Sequence, residues 1–181
     1  RHFDPINEKI IPLKFKLEKD KEVFSKPVIG FSFDEKYRLL FISDSGFYRY
    51  QPKDGKLQRL DFLSAQIDPV LGMTFLGVLK GVPGSMLLST AGKLWLYLDK
   101  ERKLILLYEI TPNQLQTFVV ADSVAYDDNN LMWVTIPGHG LIAIDLNNYA
   151  LKYKYDMNNI LPTNVIYGAQ IDHNKDIWLS S

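Results

Sequence analysis

Three groups of residues in this 181-residue chain have types and spacings that could do chemistry. Asp172, Asn174 and Asp176 alternate as the oxygen ligands of a calcium loop do. Such a loop needs glycine at its sixth position, which here is Ile177. The segment therefore reads as a turn, because Asp and Asn cap their own backbone there. His2, His139 and His173 lack the mutual spacing of a zinc site. Of these, His139 lies in the connection Ile136-Pro137-Gly138-His139-Gly140, counted as two residues longer than its counterparts. An enlarged loop on a rigid scaffold is a sensible place for recognition. The hydroxyls of Ser43, Ser89, Thr135 and Ser180 recur with a period and have no local His–Asp support, so they read as strand ends. The rings of Trp95, Tyr48, Tyr50 and Tyr97 could stack on sugars, although burial in a core is the plainer use of them. No catalytic residue, metal ligand or cofactor follows from these groups.

The hydroxyl period is what organises the chain. The signature large-apolar, apolar, Ser/Thr reads Phe41-Ile42-Ser43, Leu87-Leu88-Ser89, Trp133-Val134-Thr135 and Trp178-Leu179-Ser180. Its steps are 46, 46 and 45 residues. A fixed period in the 40s, with short strands and turns in each unit, is the mark of a propeller-type array. Phe41, Trp133 and Trp178 then read as packing between blades.

The predicted fold is all-β, built from β-propeller repeats of four-stranded antiparallel blades. The units are an outer half-blade over 1–13, blades over 28–63, 73–112 and 117–157, and an inner half-blade over 165–181. Continuous apolar runs such as Leu39–Ile42 suit strands covered on both faces. Turn signals such as Pro52-Lys53-Asp54-Gly55 separate the strands. Gln114–Val119 is the one helix candidate. The two half-units either pair into a four-bladed ring or belong to a longer propeller, and the second reading is favoured.

Composition narrows the function. Lys plus Arg equals Asp plus Glu at 21 each, so no basic excess supports a nucleic-acid partner. There are 0 cysteines, which excludes disulfides and thiol catalysis within this chain. The longest apolar stretches are about half of the ~20 residues that span a bilayer.

The stretch Leu161-Pro162-Thr163-Asn164-Val165, continued by Ile171-Asp172 through Asp176-Ile177-Trp178-Leu179-Ser180, resembles a known repeat. It is that of the periplasmic propeller sensors of Bacteroides-type hybrid two-component regulators. Gly140-Leu141 and Phe3-Asp4-Pro5 match the later part of that repeat, with Tyr50-Gln51-Pro52 close to it. Departures are the loss of Trp in the first two repeats and of the first-turn glycine, replaced by Lys175 or Asn129.

The resemblance implies a periplasmic segment of a membrane-anchored receptor, ahead of a cytoplasmic histidine kinase. It implies a non-catalytic role in detecting oligosaccharide, with the receptor acting as a homodimer. A scaffold or dimerisation propeller and a lyase of the streptogramin-degrading kind are the rival readings. Within a propeller, Asp44, Thr90, His139, Asn158 and Asn164 share one rim. Asp44, His139 and Asn164 are the expected ligand-binding residues.

Overall fold

The apolar runs become the second strands of antiparallel sheets, and the turn signals become the hairpins between them. The computed structural model describes residues 2–4, 6–11, 16–17, 28–43, 46–51, 53, 55–67, 73–90, 92–110, 121 and 123–181. The expected recognition residue Asp44 and the helix candidate Gln114–Val119 lie outside them. β1 (His2–Asp4) and β2 (Lys9–Ile11) form a two-stranded sheet. The first blade contains β3 (Lys16–Leu17), β4 (Val28–Phe33), β5 (Leu39–Ser43), β6 (Gly46–Gln51) and β7 (Lys56–Arg59). Its order is β3-β7-β6-β5-β4, so β3 adds a parallel fifth strand that the sequence pattern did not show. A one-turn helix, α1 (Asp61–Ser64), follows.

The second blade is β8 (Thr74–Gly77), β9 (Ser85–Thr90), β10 (Lys93–Leu98) and β11 (Lys103–Glu109). The third is β12 (Ser123–Tyr126), β13 (Leu131–Ile136), β14 (Gly140–Asp145) and β15 (Ala150–Tyr155). β16 (Gly168–Ile171) and β17 (Ile177–Ser180) make a further two-stranded sheet, separate from β1–β2. These are propeller blades. β4 lies against β8, β8 against β12, and β12 against β16, so the first strands run side by side along one edge of the array. Gly30 in β4 permits this approach, because a Cβ there would meet the Phe75 ring at 2.1 Å.

Each seam between blades is an apolar core. Leu40, Ile42 and Phe47 of the first blade meet Met86, Leu88 and Tyr97 of the second, closed from one end by Leu60 and Leu63 around α1. Leu87, Leu94 and Leu96 of the second meet Met132, Val134 and Ile142 of the third. Leu131, Trp133 and Leu141 of the third meet Ala169, Ile177 and Leu179. Burying each such side chain contributes roughly 1.5–3 kcal/mol. Polar stitches add to the seams. Ser89 Oγ accepts from the Ala121 N–H at 2.6 Å, and the Tyr126 hydroxyl donates to the Val78 carbonyl at 3.1 Å.

Registers correct the sequence alignment in the first repeat. By strand pairing and face, the counterpart of Trp133 and Leu87 is Leu40. The equivalent residues are thus Leu40, Leu87, Trp133 and Trp178, with steps of 47, 46 and 45. Phe41 is buried, but it points away from the second blade and stacks on Tyr48 at 5.4 Å. The 46-residue step from Ser43 to Ser89 misled the alignment, because at the hairpin Ser43 takes the place of Thr90, one residue further on. Trp178 is not core: it is 66% exposed. It faces away from the third blade, and no described strand covers that side.

Candidate functional site

The two ends of the blades carry different hairpins. One end holds the connections β5–β6, β9–β10 and β13–β14 with the links between blades; we term it the upper end. The lower end holds the hairpins between first and second strands and between third and fourth.

At the upper end the structure brings His139 and Asn164 into one neighbourhood. Ile136 extends β13 and pairs with Gly140, leaving three connecting residues where the first two blades have two. The loop is therefore one residue longer than its counterparts, not two. The Gly138 and Gly140 N–H groups donate to the Asn164 carbonyl at 2.8 and 3.3 Å. Gly140 has φ +86, and a Cβ on it would meet the Tyr155 carbonyl at 2.2 Å, so the loop seats only with glycine there. The Asn164 side chain is also engaged, its Oδ1 accepting from the Met157 N–H at 2.7 Å. Burial, helped by the Lys154 charge, lowers the His139 imidazole below its ordinary value of 6.5. His139 is thus a partly buried, mainly neutral imidazole, and Asn164 is the peg that fixes its loop. Of the other expected rim residues, Thr90 is buried and accepts from Trp95 Nε1 at 3.2 Å, and Asn158 is exposed.

The lower end repeats a carboxylate turn. Asp127 Oδ1 accepts from the N–H groups of Asn129 and Leu131 at 2.8 and 2.9 Å, and its Oδ2 accepts from Trp133 Nε1 at 3.0 Å. Asp172 does the same with Asn174, Asp176 and Trp178 at 2.8, 3.0 and 2.8 Å. The indole bond, aided by the backbone donors, lowers the Asp172 carboxyl below its ordinary 3.8. Its oxygens are occupied by these donors, which explains the calcium-like spacing as turn chemistry. Among the described residues no three His, Asp or Glu side chains converge on a metal-sized site. The left-handed residue of these turns is Asn130 or Lys175, with φ 63 and 71. Asn130, not Asn129, is therefore the counterpart of Lys175 in this turn.

Beside the third-blade turn lies a cavity of about 420 Å³, lined by Asp127, Asn129, Trp133, Lys152, Tyr153 and Lys175 among others. The register sets Trp133 and Tyr153 on either side of Ala143, whose small side chain lets the rings approach. Trp133, Tyr153 and Tyr155 lie nearly parallel, 6.1 to 6.2 Å apart between ring centroids. Tyr153 is 41% exposed, whereas Trp133 is nearly covered. The cavity thus offers the exposed part of the Tyr153 ring, with Lys152 Nζ 5.8 Å over its centroid, Lys175 paired to Asp128 at 3.4 Å, and an Asp127 carboxylate that already accepts three donors. Sequence reasoning missed it, because Tyr153 sits on a fourth strand and becomes Trp133's neighbour only through the sheet register. The four third-strand aromatics that it did consider are buried or half-buried.

No protein-family model matches the chain, and no curated protein sequence matches it. Solved structures do resemble it. The extracellular domain of the hybrid two-component system BT3049 from B. thetaiotaomicron superposes with a TM-score of 0.59 at 15% identity, over 84% of this chain and 22% of that one. That of BT4673 from the same organism gives 0.55 at 19% identity, over 85% and 20%. Saccharomyces cerevisiae Sqt1 gives 0.58 at 16% identity, over 83% and 42%. The chain spans about a fifth of the length of the two bacterial domains. Likeness to extracellular domains of bacterial signalling systems and to a yeast protein at such identity is likeness of fold. Among the described residues no helix is long and apolar enough to cross a membrane.

Proposed function

We propose that this chain is part of the extracytoplasmic ligand-sensing propeller of a hybrid two-component receptor, and that the ligand is an oligosaccharide. The fold likeness to the BT3049 and BT4673 extracellular domains supports the sensory role. The observation that carries the carbohydrate reading is the exposed Tyr153 ring lining the cavity beside Asp127. An aromatic face packs against the C–H side of a sugar ring, while Lys152, Lys175 and Asn129 address its hydroxyls. The segment performs no chemistry of its own in this reading, and the His139–Asn164 loop at the other end is a second surface for recognition.

The test is isothermal titration of the protein with a panel of neutral oligosaccharides, repeated on Tyr153→Ala and His139→Ala. Binding that falls about tenfold or more in Tyr153→Ala, with the far-UV spectrum unchanged, supports the assignment to the cavity. Loss only in His139→Ala moves the site to the upper end. A ligand that binds both variants like the parent removes both sites.

A scaffold or dimerisation role is favoured by a different observation. Phe31 and Phe33 on β4, in a groove with Val78 and Val82 of the β8–β9 turn, and Trp178 on β17 are more than half exposed. Apolar side chains left in this way suit contact with another protein surface. Sedimentation of the protein against Phe31→Ser/Trp178→Ser discriminates: a parent that sediments as a monomer rules this role out.

A further inference from the structure

The lower end of the seam between the first and second blades holds a second cavity, of about 290 Å³, with a different chemistry. Five cations and three carboxylates line it. The carboxylates are already matched. Asp34 accepts from the N–H groups of Lys36 and Arg38 at 2.8 and 2.9 Å and from Arg38 Nε at 2.5 Å. Asp99 accepts from the Tyr97 hydroxyl at 2.6 Å and from Arg49 Nη2, with Arg38 Nη2 at 3.9 Å. Glu35 pairs with Lys100 at 3.2 Å.

Among the described residues this leaves Lys36 and Arg102 with no carboxylate within ion-pair distance. Arg102 rests over the Phe62 ring at 5.1 Å, which orients its guanidinium without neutralising it. Arg49 Nε is buried without a hydrogen-bond partner, so the cluster is short of acceptors even in its interior. The residual charge of the lining is +2, from five cations and three carboxylates. A metal cation finds no unused carboxylate here. An anion finds surplus donors, two of them on exposed side chains at the mouth.

We infer that this seam binds an oxyanion, a carboxylate or phosphate group on a small ligand, held by Lys36 and Arg102 with Arg38 behind them. The site is independent of the aromatic cavity, which lies at another seam. It gives the array a way to distinguish acidic from neutral ligands. An anion seated there also touches turns of both blades, β4–β5 and β10–β11, and so ties one to the other.

The experiment is titration of the protein with inorganic phosphate, with glucuronate and with glucose as the neutral control, at constant ionic strength. The expected result is saturable binding of at least one anion and none of glucose. Arg102→Ala and Lys36→Ala should each weaken it roughly tenfold, as for loss of one charged hydrogen bond. Arg102→Lys, which keeps the charge, should weaken it less. Both side chains are exposed, so the variants retain the fold. Phosphate alone would name a phosphorylated ligand, and glucuronate alone an acidic sugar. Absence of binding by either anion overturns the inference. So does binding undiminished in the double variant Lys36→Ala/Arg102→Ala, or weakened equally by Lys93→Ala at the upper end.

Discussion

The seam between the first and second blades and the seam between the third blade and β16–β17 share a backbone plan but differ in chemistry. Both have an aspartate at the start of the lower turn, Asp34 in one and Asp127 in the other, with the same two backbone N–H groups on Oδ1. Six residues on, the first seam has Leu40 and the other has Trp133. Where the indole is present, it takes Oδ2. Where leucine replaces it, Oδ2 is taken by Arg38, which brings a charge to the mouth of the seam. Arg38, Arg49 and Asp99 then build an ionic cluster where the later seam has an aromatic one. Leu40 with Arg38 in one turn, and Trp133 with Leu131 in the other, thus turn the same aspartate toward an ionic or an aromatic seam.

The largest contrast should come from the cores. Leu88 is fully buried between the first two blades, whereas Leu179 in the later seam is only half-buried. Leu88→Ala should cost about 4 kcal/mol, and Leu179→Ala about 1 kcal/mol, because a partly open site gains less on folding and collapses or hydrates when emptied. Chemical denaturation of both variants checks this. Equal losses would mean that the later seam is as closed as the first.

Next come the polar lids. Asp99→Ala strands the Arg49 guanidinium, which is 16% exposed, and leaves the Tyr97 hydroxyl without its acceptor. The expected loss is about 3 kcal/mol, in the range for breaking a buried pair. Asp127→Ala removes a turn cap and the indole bond at a more open position, and should cost about 1–2 kcal/mol. A double variant with Arg49→Met should recover part of the Asp99 loss, since it removes the unpaired charge. No recovery would show that Asp99 acts chiefly through Tyr97.

Acid should separate the seams by pH window. Burial pushes the Asp34 carboxyl up, but the Arg38 and Lys36 donors outweigh this and hold it below 3.8. Its stabilisation is full above that value and is lost as pH falls through the lowered folded pKa. His139, at the upper end of the third blade, is lowered from 6.5 mainly by burial. The folded state resists its protonation, so stability contributed there begins to fall below pH 6.5. Thermal melts should therefore show an early acid loss that His139→Gln abolishes. A second loss below pH 3.8 should shrink in Asp34→Asn. An early loss that persists without His139 would break this assignment.

Much of this architecture is legible in the chain because blades are local. Each hairpin joins neighbours in sequence, so apolar runs and turn residues place the strands, and the period announces the array. What escaped is what depends on register or on distant partners. Phe41 was matched to Trp133 through the step from Ser43, but strand pairing gives that place to Leu40. Trp178 repeats a core position, but no described strand covers it. The ionic cluster joins Arg49 to Asp99 across fifty residues, a spacing that no local motif carries. The aspartate turn was available to sequence: Asp127 and Asp172 each stand six residues before a tryptophan, and Asp34 six before Leu40. Of the expected recognition residues, His139 and Asn164 do come together, but Asn164 serves the loop with both its carbonyl and its side chain.

The smallest test uses the strain that the two lower turns share. Tyr37 and Lys175 occupy the same left-handed position, with φ 56 and 71, where glycine is the natural residue. A side chain there costs about 1–2 kcal/mol in the backbone, partly offset because glycine is freer in the unfolded chain. Tyr37 is 81% exposed, so Tyr37→Gly gives up little packing and should stabilise by about 0.5 kcal/mol. Lys175→Gly also gives up an exposed ion pair with Asp128 at 3.4 Å and a lining residue of the aromatic cavity. Its net effect on melting should be near zero, since such pairs contribute about 0–1 kcal/mol, while oligosaccharide binding should weaken. Tyr37→Gly should leave that binding untouched. If instead Lys175→Gly stabilises as much as Tyr37→Gly and binds as before, Lys175 is only a strained turn residue. The aromatic cavity would then have to hold its ligand by Tyr153 and Lys152 alone.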